Sequence, residues 1–455
     1  MKLLAPVQII PASIAALVLV GASACASKPV EVKTGVIVTL DTTRRGAARI
    51  RKPAPAKSFW IAMTNLDPDY VLTHLVAADE REFAGALRLV MSGSPDEAEL
   101  VLDSLGRHAG DSIVRSASHI LLTAALQYQD KWKELAEISP HTLGEKDQVD
   151  TDRAGVELWA LAFKSVPERT LTFPDGSVVV PLAISAAGTP VIPVQINGKQ
   201  KHFWLDTGSS MSIISSDIAV ECSVEPLVSD TLEVATTTGR VAARPAAIRK
   251  IDIGGLSISN STAMIVASGL MEVRVGDLQG PTTAKIDGII GFDIIRRLKV
   301  EVDYTNGSVR LSKPVQSKKP PQRNFFWVGT PIVRVASSSG VPLHFGLDTG
   351  AQETYATERL LDKVRVRTFV GERKGIGGFA GFKEFRGRFI ADVRLGLRGK
   401  TLLFQKLLVF APSVTTFITL DGVLGSDIGK TGVVQIDATN GMFSIDAPPV
   451  NGTIR

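Results

Sequence analysis

The chain holds only two cysteines, Cys25 and Cys222, among 455 residues. That scarcity excludes a disulfide-stapled scaffold and any zinc site built on cysteine pairs. Histidine is sparse too, with six residues and no His-Glu-x-x-His, so zincin-type hydrolysis is excluded. There is no Gly-x-Ser-x-Gly elbow and no phosphate loop. Serine-hydrolase and nucleotide-hydrolase chemistry go with them. Nor does charge of one sign dominate: 51 Lys and Arg face 46 Asp and Glu, a formal net charge of +5 spread along the chain. A nucleic-acid partner is not expected from so mild an excess, and no metal or cofactor is implied. What is present is ordinary for a globular chain with a sizeable core, at 44% hydrophobic and 21% charged residues. The 40 Gly and 24 Pro predict many turns, as an all-β region requires.

The longest apolar stretch near the N-terminus, Ile14 to Val20, is too short to span a bilayer. It follows Lys2 and leads into Gly21-Ala22-Ser23-Ala24-Cys25, and so reads as an export signal over residues 1–24. Small residues running directly into Cys25 resemble a bacterial lipobox, which implies lipidation of that thiol and anchoring on the periplasmic side of a membrane. Ala22 stands where that pattern usually has Leu, so plain cleavage at Ala-x-Ala stays open. Residues 25–57, with Arg44, Arg45, Arg49, Arg51, Lys52 and Lys57 around Pro53 and Pro55, read as a basic, extended tether. It is either a solvated linker or a segment drawn to anionic headgroups. Cys222, flanked by Glu221 and Glu225, reads as a small core residue and not a nucleophile.

Residues 58–168 carry a helical period. Ser94-Pro95-Asp96-Glu97 predicts a helix start with Pro at its first position and a capping box. Short helix pairs with Ala at their crossings loosely resemble tetratricopeptide hairpins, which implies a packing role or a docking site for a protein partner. After Pro167 the signal becomes β, and the chain then repeats itself. Thr189-Pro190-Val191-Ile192 matches Thr330-Pro331-Ile332-Val333, and His202 to Gly208 (HFWLDTG) matches His344 to Gly350 (HFGLDTG). Asp287-Gly288-Ile289-Ile290-Gly291 matches Asp421-Gly422-Val423-Leu424-Gly425, and Asp303 to Gly307 matches Asp437 to Gly441. Four matches in one order predict a tandem duplication: lobe 1 over 169–318 and lobe 2 over 319–455, joined within Lys313–Arg323.

Average usage predicts Asp-Thr-Gly about 0.1 times in a chain this long. Here it occurs at equivalent places in both repeats, as Asp206-Thr207-Gly208-Ser209 and Asp348-Thr349-Gly350-Ala351. Each copy follows an apolar strand, which fixes the direction of the carboxylate. Gly permits an unusual backbone and Thr offers a hydroxyl to tie the loop down. Asp-Thr-Gly followed by two apolar residues and Gly resembles the acid proteases, retropepsin-like and pepsin-like, over roughly Leu171 to Ala447.

The resemblance implies an all-β acid-protease fold, two homologous β-lobes related by a pseudo-two-fold axis, preceded by the small α-helical domain. It implies that Asp206 and Asp348 form the catalytic pair and that Thr207 and Thr349 interlock the lobes. Ile289-Ile290-Gly291 and Val423-Leu424-Gly425 would pass beneath the catalytic loops. Gly375-Ile376-Gly377-Gly378-Phe379 resembles a retroviral flap tip, whereas Thr238 and Gly239 fill that interval in lobe 1 without the flap Tyr of the pepsins. The implied activity is an aspartic endopeptidase acting on protein or peptide substrates in the cell envelope. Two carboxylates sharing one proton would activate a water, a case for which aspartic proteases are the standard illustration. Two other readings stay open: a catalytically silent protein that binds extended peptides on the same shell, and an envelope scaffold whose working part is the helical domain. His202 and His344 are expected to cap strands at the surface, and Asp287 and Asp421 to serve turns. Ser209, alone of the two residues after Asp-Thr-Gly, could give its hydroxyl to Asp206 and bias the shared proton toward Asp348.

Overall fold

The protein is described here from a computed structural model, over residues 36–39, 56–139, 151–275, 282–318, 322–363, 368–379, 381–410, 418–430 and 432–446. The export signal, Cys25 and most of the predicted tether lie outside them. No helix among the described residues is long and apolar enough to cross a membrane.

The helical period resolves into α1 (Phe59–Thr64), α2 (Ala78–Ser92), α3 (Pro95–His108), α4 (Ser112–Gln129), α5 (Trp132–Ile138) and α6 (Thr151–Phe163). Antiparallel neighbours pack through Ala84, Ala98, Leu102, Leu121 and Leu122, which are buried. Gly93 ends α2 at φ +85, with its amide on the Val90 carbonyl and that of Ser94 on Leu89, so two orphan carbonyls find donors. Pro95 opens α3 as expected, but the Ser94 side chain makes no capping bond. The predicted capping box is therefore absent. At φ −112, ψ 59 the residue lies outside the extended conformation a capping hydroxyl needs.

Each lobe forms a nine-stranded sheet with the same strand order. In lobe 1, Gly288–Ile290 runs parallel to Lys199–Leu205, pairing Ile289 with Trp204 and Ile290 with Leu205. In lobe 2, Gly422–Leu424 runs parallel to Pro342–Leu347, pairing Val423 with Gly346 and Leu424 with Leu347. Asn197 (φ +49) and Gly198 (φ +86) make the two-residue turn that sets the register of the strand leading to Asp206. A separate five-stranded sheet joins the lobes. Lys299–Asp303 of lobe 1 pairs antiparallel with Val433–Asp437 of lobe 2, and Val178–Pro181 closes one edge. The duplicated Asp-x-Thr-Asn-Gly segments are its hairpin turns, where Asn306 and Asn440 bond Asp303 and Asp437.

One stretch departs from the expected tether. Val36–Thr39 is a strand, paired antiparallel with Thr401–Phe404 at the edge of the lobe 2 sheet. Thr170–Thr172 fills the equivalent edge of lobe 1. The outer strand of lobe 2 thus comes from ahead of the helical domain.

A continuous core runs through both lobes, centred on Phe292, Phe325, Trp327 and Phe443, with Phe292 and Trp327 stacked 5.2 Å apart. A second core joins the helical domain to both lobes, placing Phe83, Leu87, Trp159 and Phe163 with Val234, Val241 and Ala243 of lobe 1 and with Phe326, Val328 and Ile332 of lobe 2. The helical domain therefore packs on the outer side of the Leu232–Thr236/Gly239–Ile253 hairpin, with α6 in direct contact with both strands.

Candidate active site

Each Asp-Thr-Gly loop begins where a central strand ends. The Asp206 amide donates to the Ile290 carbonyl (3.1 Å) and the Asp348 amide to that of Leu424 (3.0 Å). From below, Phe292 N–H reaches Ser209 O (2.7 Å) and Ser426 N–H reaches Ala351 O (2.8 Å). The strands bearing Ile289-Ile290-Gly291 and Val423-Leu424-Gly425 thus pass under the loops. Gly291 is required there because a Cβ would meet the Met211 carbonyl carbon at 2.5 Å.

The two loops grip each other through their threonines. Thr207 Oγ1 donates to Leu347 O (2.9 Å) and accepts from Thr349 N–H (3.0 Å). Thr349 Oγ1 donates to Leu205 O (2.7 Å) and accepts from Thr207 N–H (2.9 Å). All four bonds are buried and cross from one lobe to the other. The grip brings Asp206 and Asp348 within hydrogen-bonding reach of one another.

Both carboxyls are almost wholly enclosed, at 0% and 1% exposure, and burial raises both above the usual carboxylate range. They are not equivalent. Asp206 Oδ1 accepts from Gly208 N–H (2.8 Å) and from Gly350 N–H of the other loop (3.1 Å), which limits its rise to about 6. Asp348 Oδ1 accepts from Ala351 N–H (2.9 Å), and burial and then the neighbouring charge of Asp206 carry it well above its ordinary value. The direction of the two shifts favours the proton on Asp348 over Asp206. Asp206 Oδ2 is buried without a partner among the described residues.

That asymmetry matches the expected direction but not the expected cause. The Ser209 hydroxyl donates to the Met211 carbonyl (2.6 Å) and not to Asp206. Backbone amides select the charged partner.

The flap residues of the two lobes meet. Thr236, Thr237 and Thr238 are buried at the lobe 1 hairpin tip, and Gly239 opens the returning strand. Gly377, Gly378 and Phe379 are buried at the lobe 2 tip. A Cβ on Gly378 would lie 2.6 Å from Thr238 Oγ1, so the two tips touch. Ile376 belongs to the strand Thr368–Gly378; its side chain is outside the described set.

Three of the four repeated residues depart from expectation. His202 is exposed, but His344 is buried, with its ring edge on Phe326 at 6.0 Å, and burial pushes it down to about 3. The lobes differ because Phe325–Trp327 covers His344, whereas lobe 1 has only the short, exposed pair Ala183–Ile184 there. Asp287 and Asp421 are strand ties and not turn residues: each carboxylate accepts from the backbone N–H of the repeated His, at 3.2 and 2.9 Å. Asp421 also pairs with buried Lys363. Cys222 is buried, its thiol pushed up by burial, as fits a core residue.

A further matched pair escaped notice. Ser212 and Thr354 stand at the same distance after the Asp of each Asp-Thr-Gly loop, as Asp293 and Asp427 do after Gly291 and Gly425. Each hydroxyl accepts from the Gly amide and donates to the Asp, at 3.1 and 2.9 Å in lobe 1 and 3.0 and 2.7 Å in lobe 2. The signal lay in the duplication itself, read beyond its apolar motif.

Residues 192–297 match the family model of the gag-polyprotein putative aspartyl protease. Among solved structures, the chain is similar to a retropepsin-like aspartic protease from Rickettsia conorii. Identity is 16%, over 32% of this chain and 94% of that one, with a TM-score of 0.21. No curated protein matches. The sequence match covers lobe 1, and lobe 2 repeats its sheet order, its Asp-Thr-Gly loop and its underlying strand. The family match thus lies within lobe 1, at the residues around its Asp-Thr-Gly loop and underlying strand.

Proposed function

We propose that the chain is an aspartic endopeptidase that hydrolyses peptide bonds with a water activated between Asp206 and Asp348. The observation that carries this reading is a pair of enclosed carboxyls, in bonding reach, at the crossing of two equivalent loops. Asp206, holding the charge against two backbone N–H groups, takes the proton from the water. Asp348, holding the shared proton, donates to the carbonyl oxygen as the tetrahedral centre forms. Collapse of that centre sends a proton to the leaving amine, and no covalent intermediate arises. An extended substrate would lie between the dyad and the meeting tips at Thr238 and Gly378, so the tips must part for it to enter.

The proposal extends to location: export, lipidation at Cys25 and residence on the periplasmic side of a bacterial membrane. The support is the run of small residues into Cys25 behind a short apolar segment. Purified protein incubated with a diverse peptide library should cleave within extended apolar-containing segments, and the Asp206→Asn variant should not. Equal product from both would end the proposal. In a bacterial host the chain should partition with membranes and Cys25→Ser should not carry lipid. A wholly soluble wild type that begins at Ser27 would end the anchoring part alone.

A further inference from the structure

The lobe 1 catalytic loop is tied to the helical domain by a buried chain of polar contacts that lobe 2 lacks. Asp130 caps the C-terminus of α4 in the left-handed conformation (φ +60). Its carboxylate lies 2.7 Å from Arg296, 2.6 Å from Arg297 and 3.5 Å from Arg169. Arg169 is 3% exposed and continues inward: Nη2 meets Asp293 Oδ2 at 2.7 Å and Nη1 donates to the Asp293 carbonyl at 2.7 Å. Asp293 Oδ1 accepts from the Ser212 hydroxyl, which accepts from Gly291 N–H. Gly291 lies between Ile290, whose carbonyl takes the Asp206 amide, and Phe292, whose amide holds the Ser209 carbonyl.

In lobe 2 the same Thr354–Asp427–Gly425 arrangement stands without a guanidinium: among the described residues Asp427 makes no ion pair. Both lobes need the hydroxyl and the carboxyl to shape the loop floor. In lobe 1 the Asp is matched to a buried arginine that also faces Asp130 of the helical domain.

We infer that Arg169 is a positioning residue, through which the helical domain fixes the shape of the Asp206 loop and thereby the turnover of the dyad. A buried guanidinium hydrogen-bonded to Asp293 and ion-paired at 3.5 Å with Asp130 is held in one orientation, and it carries that orientation to Asp293. If Asp130 moves, Arg169 loses one of its two carboxylates, and a buried charge short of a partner is strongly unfavourable.

The charged groups facing Asp293 are Arg169 and Arg296, which favour its ionised form, and Asp130, which disfavours it. Burial already lifts Asp293 above the ordinary value with Arg169 in place. Asp427, with no arginine, is lifted by burial to about 6. Without Arg169, Asp293 should behave as Asp427 does: neutral in acid, where Ser212 can still bond it, and an unpaired charge at higher pH.

The inference rests on the peptidase reading, and its test separates the two. Full-length wild type, Arg169→Met, Arg169→Met/Asp293→Asn and Asp130→Asn are compared in three ways: kcat and KM for one cleaved peptide across pH, thermal unfolding, and exchange of the Gly291 amide. For Arg169→Met, the ratio of its kcat to wild type should fall about tenfold between about pH 5 and about pH 8, with KM little changed. The Gly291 amide should exchange faster. Adding Asp293→Asn should flatten that ratio, because the amide keeps the Ser212 bond without a charge. Asn tolerates the left-handed conformation, so Asp130→Asn cuts the domain end alone, and it should shift kcat and Gly291 exchange in the same direction by less. Unchanged Gly291 exchange in folded Arg169→Met, or a loss of kcat that is equal at all pH and not relieved by Asp293→Asn, would reduce Arg169 to a purely structural role. If Arg169→Met does not fold, the Asp130→Asn result decides, and unaltered exchange and kcat there overturn the inference. A wild type that cleaves nothing would end the peptidase reading, while Gly291 exchange still judges the link.

Discussion

Replacing Thr207 by Val keeps the shape of the side chain and removes only its hydroxyl. That hydroxyl makes two buried contacts, donating to Leu347 O at 2.9 Å and accepting from Thr349 N–H at 3.0 Å. Val satisfies neither, and no water-exposed route is open, since Thr207 and Leu347 are 0% and 1% exposed. Each stranded buried group costs about 1–3 kcal/mol, so the variant should lose about 2–6 kcal/mol from the transition that separates the lobes. Thr349→Val strands Leu205 O and Thr207 N–H and should cost the same. The double variant should lose less than the sum, because one broken grip already loosens the other. Denaturant unfolding followed through a lobe-specific probe measures the stability, and peptide cleavage measures the dyad. Activity should fall by at least about tenfold, since the grip sets the separation of the carboxyls. A loss below about 1 kcal/mol with unchanged turnover would refute the idea that these four bonds hold the dyad together.

Other consequences follow from the same geometry. Asp206→Asn and Asp348→Asn should each abolish nearly all peptide cleavage, with the double variant scarcely worse, because the pair works as a unit; retention of more than a few per cent by either would contradict the shared mechanism. Cleavage against pH should be bell-shaped with its acidic limb near 6, as Asp206 loses its proton while Asp348, raised further, keeps one. An acidic limb near the ordinary carboxylate value would show that the dyad is less enclosed than described. Gly350→Ala places a Cβ 2.5 Å from Asp206 Cγ and removes the fit that brings Gly350 N–H onto Oδ1. It should abolish activity in a folded protein, and near-wild-type turnover would count against Gly350 as a support of the charged carboxylate.

The architecture of the β-region was legible because it is written twice. Two Asp-Thr-Gly loops and two apolar-apolar-Gly strands, in one order, carry their own internal control, and the hairpins between them have ordinary turn chemistry. The parts that stayed hidden are contacts between segments far apart in the chain and free of periodicity. Arg169 and Asp293 are 124 residues apart, and nothing in either neighbourhood announces the other. Val36–Thr39 looked like tether because its partner strand, Thr401–Phe404, lies near the opposite end of the sequence. His344 misled through its own repeat: the same letter at the same position as His202 sits beneath Phe326, where lobe 1 has only the small, exposed Ala183. Ser209 misled because a hydroxyl one residue past Asp-Thr-Gly has two acceptors nearby, and only coordinates decide that Met211 O receives it.

Fusing both loops into one chain has a chemical consequence that a symmetric pair of identical subunits does not share. Identical loops offer identical donors to both carboxyls, so symmetry itself cannot say which one keeps the proton. Here the symmetry is broken at three levels. Nearest the dyad, Gly350 N–H joins Gly208 N–H on Asp206 Oδ1, and Asp348 Oδ1 has the Ala351 amide. One layer down, the Asp under the loop is ion-paired with Arg169 in lobe 1, whereas in lobe 2 it makes no ion pair among the described residues. Outermost, α6 lies along the lobe 1 hairpin, and the lobe 2 sheet is edged by Val36–Thr39. The first level sets which carboxyl is charged, because hydrogen bonds to an anion are worth more than those to a neutral group. The second level keeps that carboxyl's loop rigid while it carries charge. Lobe 1, the lobe that bears the anion, is therefore also the one the helical domain holds from both sides, at its hairpin and at its floor.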